Sequence, residues 1–133
     1  MENPLKIPQG YQVMMPYLML KNASKFFEFT HNVFGAKEKM KEMLPDSNGI
    51  AHGEITIEGQ TIIYAEGSEK LGYQTTGLFI YVPNADETYK KAITEGATSV
   101  MEPSDQPYGR SGGVKDPFGN TWWITSVLPE KKE

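Results

Sequence analysis

Cysteine is missing from this chain altogether. That removes a disulfide framework, a thiolate metal site and a cysteine nucleophile together. Such a composition suits a reducing cytosol. Basic charge is also scarce: 13 Lys and Arg against 17 Asp and Glu give a net charge of −4. With a pI near 5.2, the basic face that nucleic acid requires is not expected. Histidine is confined to His31 and His52. Residues 1–10 contain no apolar signal-peptide core, and no apolar run approaches the length of a membrane span. The expectation is a soluble, cytoplasmic protein with no nucleic-acid or membrane partner. A length of 133 residues suits a single domain, 1–133, with a substantial core.

What is present begins with residues 11–20, dense in Val, Met, Tyr and Leu, which read as a strand buried on both faces. Pro16 conflicts with a central strand because it cannot donate to the ladder, so a bulge or an edge position is expected there. Asn22 or Ser24 can cap a following helix. Phe26, Phe29 and Val33 fall at helical spacing over residues 25–34, and Gly35 then stops the helix. Residues 37–43 form a loosely alternating strand, and Asp46 to Gly49 make a turn. Alternation over residues 50–58 puts His52 and Glu54 on one side and Ile55 and Ile57 on the other. Glu58, Gly59 and Gln60 make a tight hairpin into a strand at 61–65.

The same order then returns. Residues 77–82 form a strand, and Asn84 with Glu87 gives the N-cap and N3 positions of a capping box. Tyr89, Ala92 and Ile93 supply the apolar stripe of that helix. Strands are expected at 98–102, 113–115 and 121–127. Asn22–Ala23 and Gly35–Ala36 recur as Asn84–Ala85 and Gly96–Ala97 at a spacing of about 60 residues. The chain therefore contains two βαβββ units, module one at about 11–66 and module two at about 76–127. The fold class is α+β: a cupped, mostly antiparallel sheet around a central cavity, with the helices outside. Asp116, Pro117, Phe118 and Gly119 fit a type I turn between the last two strands. Trp122 and Trp123 follow, and as neighbours on a strand they point to opposite faces.

A paired βαβββ plan with these motifs resembles the vicinal oxygen chelate superfamily of glyoxalase I, extradiol dioxygenases, and fosfomycin and bleomycin resistance proteins. Within it the chain is similar to the PhnB-like branch. The matches are Pro16–Tyr17–Leu18, Phe34–Gly35–Ala36, His52–Gly53–Glu54, Tyr81–Val82, Gly96–Ala97, Tyr108–Gly109–Arg110 and Asp116 to Asn120 followed by Trp122. The resemblance implies an ion held by His and Glu side chains on the first and last strands of each module, acting as a Lewis acid. Those positions fall near Met15, Gly77, Tyr64 and Trp123, where neither the residues nor their immediate neighbours are His or carboxylates. No metal ligand is therefore assigned and no cofactor is expected. The resemblance also implies a homodimer, which unpaired sheet edges would favour.

The candidate ligand pocket consists of Met15, Tyr17, His52, Glu54, Tyr64, Phe79, Tyr81, Tyr108, Arg110 and Trp123. An aromatic and methionine lining holds flat apolar molecules, although the same residues also build ordinary cores. His52 and Glu54 share a strand face and are the candidate catalytic pair, able to line the pocket, orient a substrate or act as general base. Arg110 can clamp an anion or pair with a neighbouring carboxylate. Glu66 reads as a solvated hairpin end, and His31 as a surface residue. Two functions remain open. The first is a small-molecule binding protein of the bleomycin-resistance type, taking an aromatic or amphipathic ligand. The alternative is a metal-dependent lyase, isomerase or dioxygenase with a divalent ion displaced onto His52, Glu54 and Glu66. A structural or regulatory role without a ligand is the third.

Overall fold

The computed structural model describes residues 3–45 and 47–129. The first module contains β1 (Tyr17–Leu20), α1 (Phe26–Phe34), β2 (Lys37–Met43), β3 (Ile50–Ile57) and β4 (Gln60–Glu66). The second contains β5 (Gly77–Tyr81), α2 (Ala85–Thr94), β6 (Thr98–Gln106), β7 (Gly109–Lys115) and β8 (Thr121–Ser126). Each module forms a four-stranded sheet, ordered β1-β4-β3-β2 and β5-β8-β7-β6. In both sheets the first strand runs parallel to the last, and the other pairings are antiparallel. The α+β class and the doubled βαβββ order are as the sequence predicts. The sheets stay separate and no barrel closes.

Both helices form where the apolar spacing demanded. Gly35 closes α1 at φ 72°, with its N–H donated to His31 and Thr30 carbonyls. Asn84 caps α2 by accepting the Glu87 N–H at 3.1 Å. Asn22 plays a different part from the expected cap: it takes a left-handed φ of 56° and leads into a short 3-10 turn, Ala23–Lys25. The helices cover one face of each sheet, here called the helix face, and α1 serves both modules. Phe26 packs on Tyr64 of β4 at 5.0 Å, while Phe34 lies 4.4 Å from the Trp122 indole of β8. Phe118 in the β7–β8 turn meets Phe26 and Phe29 edge-on. One buried apolar cluster thus runs through both modules, from Leu18 and Leu20 to Trp122 and Ile124.

Three strand boundaries differ clearly from the sequence expectation, one being the strand predicted at 113–115, which already begins at Gly109 and so takes in Arg110. The predicted strand at 11–20 pairs only over Tyr17–Leu20. Pro16 ends the irregular stretch before it and contributes only its carbonyl, which accepts the Ile63 N–H at 3.0 Å. The strand predicted at 98–102 runs on to Gln106 through Pro103. This is tolerated because β6 is an edge strand with irregular register at Met101 and Ser104. Asp46 of the predicted turn and residues 130–133 lie outside the described residues.

Candidate functional site

Faces are assigned by strand alternation and register. On β4, Ile62 and Tyr64 point to the helices, leaving Ile63 and Ala65 on the opposite, open face. On β8, Trp122, Ile124 and Ser126 point to the helices, and Ser126 Oγ accepts the Ala85 N–H at 3.1 Å. Trp123 therefore faces the open side, in register with Phe79 of β5 and Gly113 of β7. Glycine leaves room at that crossing, where an added Cβ at Gly113 would come within 2.6 Å of the Trp123 ring as it stands. Gly53 does the same on the helix face, where a Cβ would approach the Tyr64 ring to 2.5 Å. In each module a large ring lies flat across a glycine of the neighbouring strand.

The open face of the second sheet is aromatic. Phe79, Tyr81 and Tyr108 are 51%, 59% and 54% exposed. Phe79 sits 5.3 Å from Tyr81 and 5.8 Å from Tyr108. Phe79 and Tyr81 border a groove of about 380 Å³ along the side of β5 that pairs with no strand among the described residues. Leu78, Ile80, Phe79 and Tyr81 form one wall, and Met14, Pro16 and the β3–β4 hairpin form the other. Trp122 also borders this groove. That size and apolar lining fall in the range of small-molecule sites.

The first sheet presents a polar station instead. Glu54 is 5% exposed, and its two oxygens accept from the Tyr11 hydroxyl at 2.5 Å and from His52 Nε2 at 2.7 Å. Burial pushes the Glu54 carboxyl up, but hydrogen bonds from Tyr11 and His52 and the charges of His52 and Lys39 outweigh it. The net effect holds the group below its ordinary value. Tyr11 is raised in turn, chiefly by its bond to Glu54. Tyr11 belongs to a strap over the sheet. Gln12 exchanges hydrogen bonds with the Thr61 carbonyl and N–H, and Lys39 bonds Gly10 and Thr61 and lies 3.3 Å from the centre of the Tyr11 ring. This strap is not legible in the sequence, since residues 10–16 carry no periodicity that separates them from a strand.

The ten candidate pocket residues are thus distributed over several places. Phe79 and Tyr81 line the groove, and Tyr108 adjoins Phe79. Trp123 shares the Phe79 face. Tyr17, His52 and Glu54 share the open face of the first sheet, where the Tyr17 and His52 rings meet at 6.4 Å. Met15 lies in the strap between the groove residues Met14 and Pro16. Tyr64 is 1% exposed against Phe26; its phenol is pushed up to about 12 by burial and then by the Glu38 charge. Arg110 lies on β7 rather than in a loop and turns to α2. Its Nε and Nη2 reach Asp86 at 2.7 and 3.2 Å, and Nη1 reaches Asp105 at 3.0 Å. The apolar groove members missing from that set are Met14, Pro16, Ile57, Ile62, Leu78, Ile80 and Trp122. Pro16 and Trp122 stood in the family motifs, and the others carried no signal beyond their apolar character.

The donor set does not fit the implied ion. By register Trp123 corresponds to Ile63, and the open-face positions of β1 and β4 are Tyr17, Met19, Ile63 and Ala65. None is a His or a carboxylate. His52 and Glu54 are bonded to each other, and Glu66, in register with Leu20, belongs to the helix face. Among the described residues no group of three or more His, Asp or Glu is placed to hold a metal ion.

The sequence model of the Glyoxalase/Bleomycin resistance protein/Dioxygenase superfamily matches residues 12–124. An uncharacterised protein of Mycobacterium bovis is 27% identical over 129 residues, covering 88% of this chain and 84% of its own. The fold is similar to that of a PhnB protein from Bacillus cereus, described as a putative 3-demethylubiquinone-9 3-methyltransferase. That likeness has a TM-score of 0.70 at 15% identity and covers 87% of this chain and all of the other. TnmS3, an antibiotic binding protein from Streptomyces sp. CB03234, matches with a TM-score of 0.67 at 14% identity, covering 88% and 96%. No helix among the described residues is long and apolar enough to cross a membrane.

Proposed function

Because the chain belongs to the glyoxalase/bleomycin resistance protein/dioxygenase superfamily, we propose that it binds a flat aromatic or amphipathic small molecule. The carrying observation is the half-exposed cluster of Phe79, Tyr81 and Tyr108 beside an apolar groove. Monomeric surfaces seldom leave three adjacent rings half in water without a use for them. The antibiotic-binding activity named for TnmS3 supports the same direction. The reading includes a homodimer, in which a second copy would limit the solvent reaching those rings.

The test is calorimetric titration with a panel of planar aromatic compounds, including antibiotic chromophores, on the wild type and on Phe79→Ala and Tyr81→Ala. Saturable binding that weakens about tenfold in each variant is expected, corresponding to about 1.4 kcal/mol of lost contact. Absence of heat and of thermal stabilisation across the panel would refute the reading. The metal-dependent alternative on His52 and Glu54 draws support only from their adjacency. Stoichiometric Zn, Ni, Mn or Fe in protein prepared without chelator would revive it.

A further inference from the structure

Tyr11, Glu54 and His52 do not border the groove, but Pro16 of the groove adjoins Tyr17, whose ring flanks His52. Glu54 is almost fully buried, and both of its oxygens are engaged, one by Tyr11 and one by His52 Nε2. Those donors keep the group anionic against the penalty of burial. An ionised carboxylate only accepts, so the imidazole must present N–H at Nε2. The tautomer of a histidine is set by the bond its other nitrogen makes. In the neutral ring Nδ1 is then a lone pair, and among the described residues nothing donates to it. The His52 side chain is 30% exposed. Tyr17 flanks it edge-on at 6.4 Å and 64°, and is itself 49% exposed. An oriented acceptor beside a half-exposed aromatic ring is thereby presented on the open face of the first sheet.

We propose that His52 Nδ1, oriented by Glu54 and Tyr11, is the acceptor for an acidic O–H or N–H on the ligand, so that the ligand class is a ring system bearing a phenol-like donor. This rests on the small-molecule reading above and narrows it. Tyr17 supplies the apolar flank for the ring that carries the donor. Glu54 is a positioning residue: it fixes which nitrogen accepts without itself touching the ligand. Tyr11 and Lys39 support the carboxylate from the strap side.

The experiment compares 2-naphthol with 2-methoxynaphthalene near neutral pH, by titration calorimetry on the wild type, His52→Phe and Glu54→Gln. The two probes share a ring system and differ in the donor. The wild type should bind 2-naphthol about tenfold tighter than its methyl ether, as expected of one hydrogen bond to an oriented acceptor. In His52→Phe that preference should vanish while the ether binds as before, and in Glu54→Gln it should shrink. Equal affinity in the wild type, or a preference surviving in His52→Phe, overturns the role of His52 and leaves aromatic binding standing. Failure of both probes to bind the wild type overturns the aromatic reading as well. The wild-type comparison needs no variant to fold.

Discussion

Asp116 is 4% exposed and accepts from the Phe118 and Asn120 N–H groups, the Asn120 amide and the Trp122 indole, all at 2.8–3.0 Å. A carboxylate with that many donors organises the β7–β8 turn, and its removal leaves buried donors unpaired. Asp116→Ala should cost about 3 kcal/mol in a denaturant titration. Trp122→Phe keeps the stack on Phe34 but loses the indole donor, at about 1 kcal/mol. Titration gives two further expectations. Glu54 is depressed in the folded state, so its contribution is present above the ordinary carboxylate value of 4.5 and is lost as pH falls through its lowered pKa. Glu54→Gln should flatten the acid limb of a stability–pH curve. Tyr64 is raised from 10.0 to about 12, so its contribution is full below 10 and disappears as pH climbs through about 12. Tyr64→Phe should remove that alkaline loss.

The two glycine crossings distinguish the modules at the level of the strand. Both would place a Cβ under an aromatic ring, but the rings differ in freedom to move. Tyr64 is locked in the core against Phe26, whereas Trp123 is only partly buried on the open face. Gly53→Ala should therefore cost about 2 kcal/mol or more, and Gly113→Ala less than about 1 kcal/mol. In Gly113→Ala the indole should swing away, seen as a shift in tryptophan emission. A larger loss at Gly113 than at Gly53 would contradict this picture of the two faces.

For the whole molecule, the sheet edges decide association. Three edges carry protection. Gln74 exchanges two backbone bonds with Met19 beside β1. β2 is studded with Lys and Glu, and β6 contains Pro103 and irregular register. β5, Gly77–Tyr81, has an apolar sequence, and among the described residues its outer edge pairs with no strand and borders the groove. We expect a homodimer in light scattering at micromolar concentration, with Phe79→Lys shifting it toward monomer. A monomeric mass for the wild type would refute this.

The sequence by itself determined the doubled βαβββ order, the two helices, the Asp116 turn and the opposed faces of Trp122 and Trp123. These follow from local periodicity, capping and turn chemistry, and from a repeat of about 60 residues. Only the tertiary structure decided which face of each strand meets the helices. Tyr64 belongs to the core because α1 presents Phe26 to that side of β4, and a one-residue choice of face cannot be read from alternating apolar residues. Arg110 turns to Asp86 because β7 lies beside α2, a neighbour 24 residues away in sequence. The strap that seats Tyr11 on Glu54 joins residues 43 apart. No local pattern encodes such a pairing, since it depends on how chain ends and sheets meet in space.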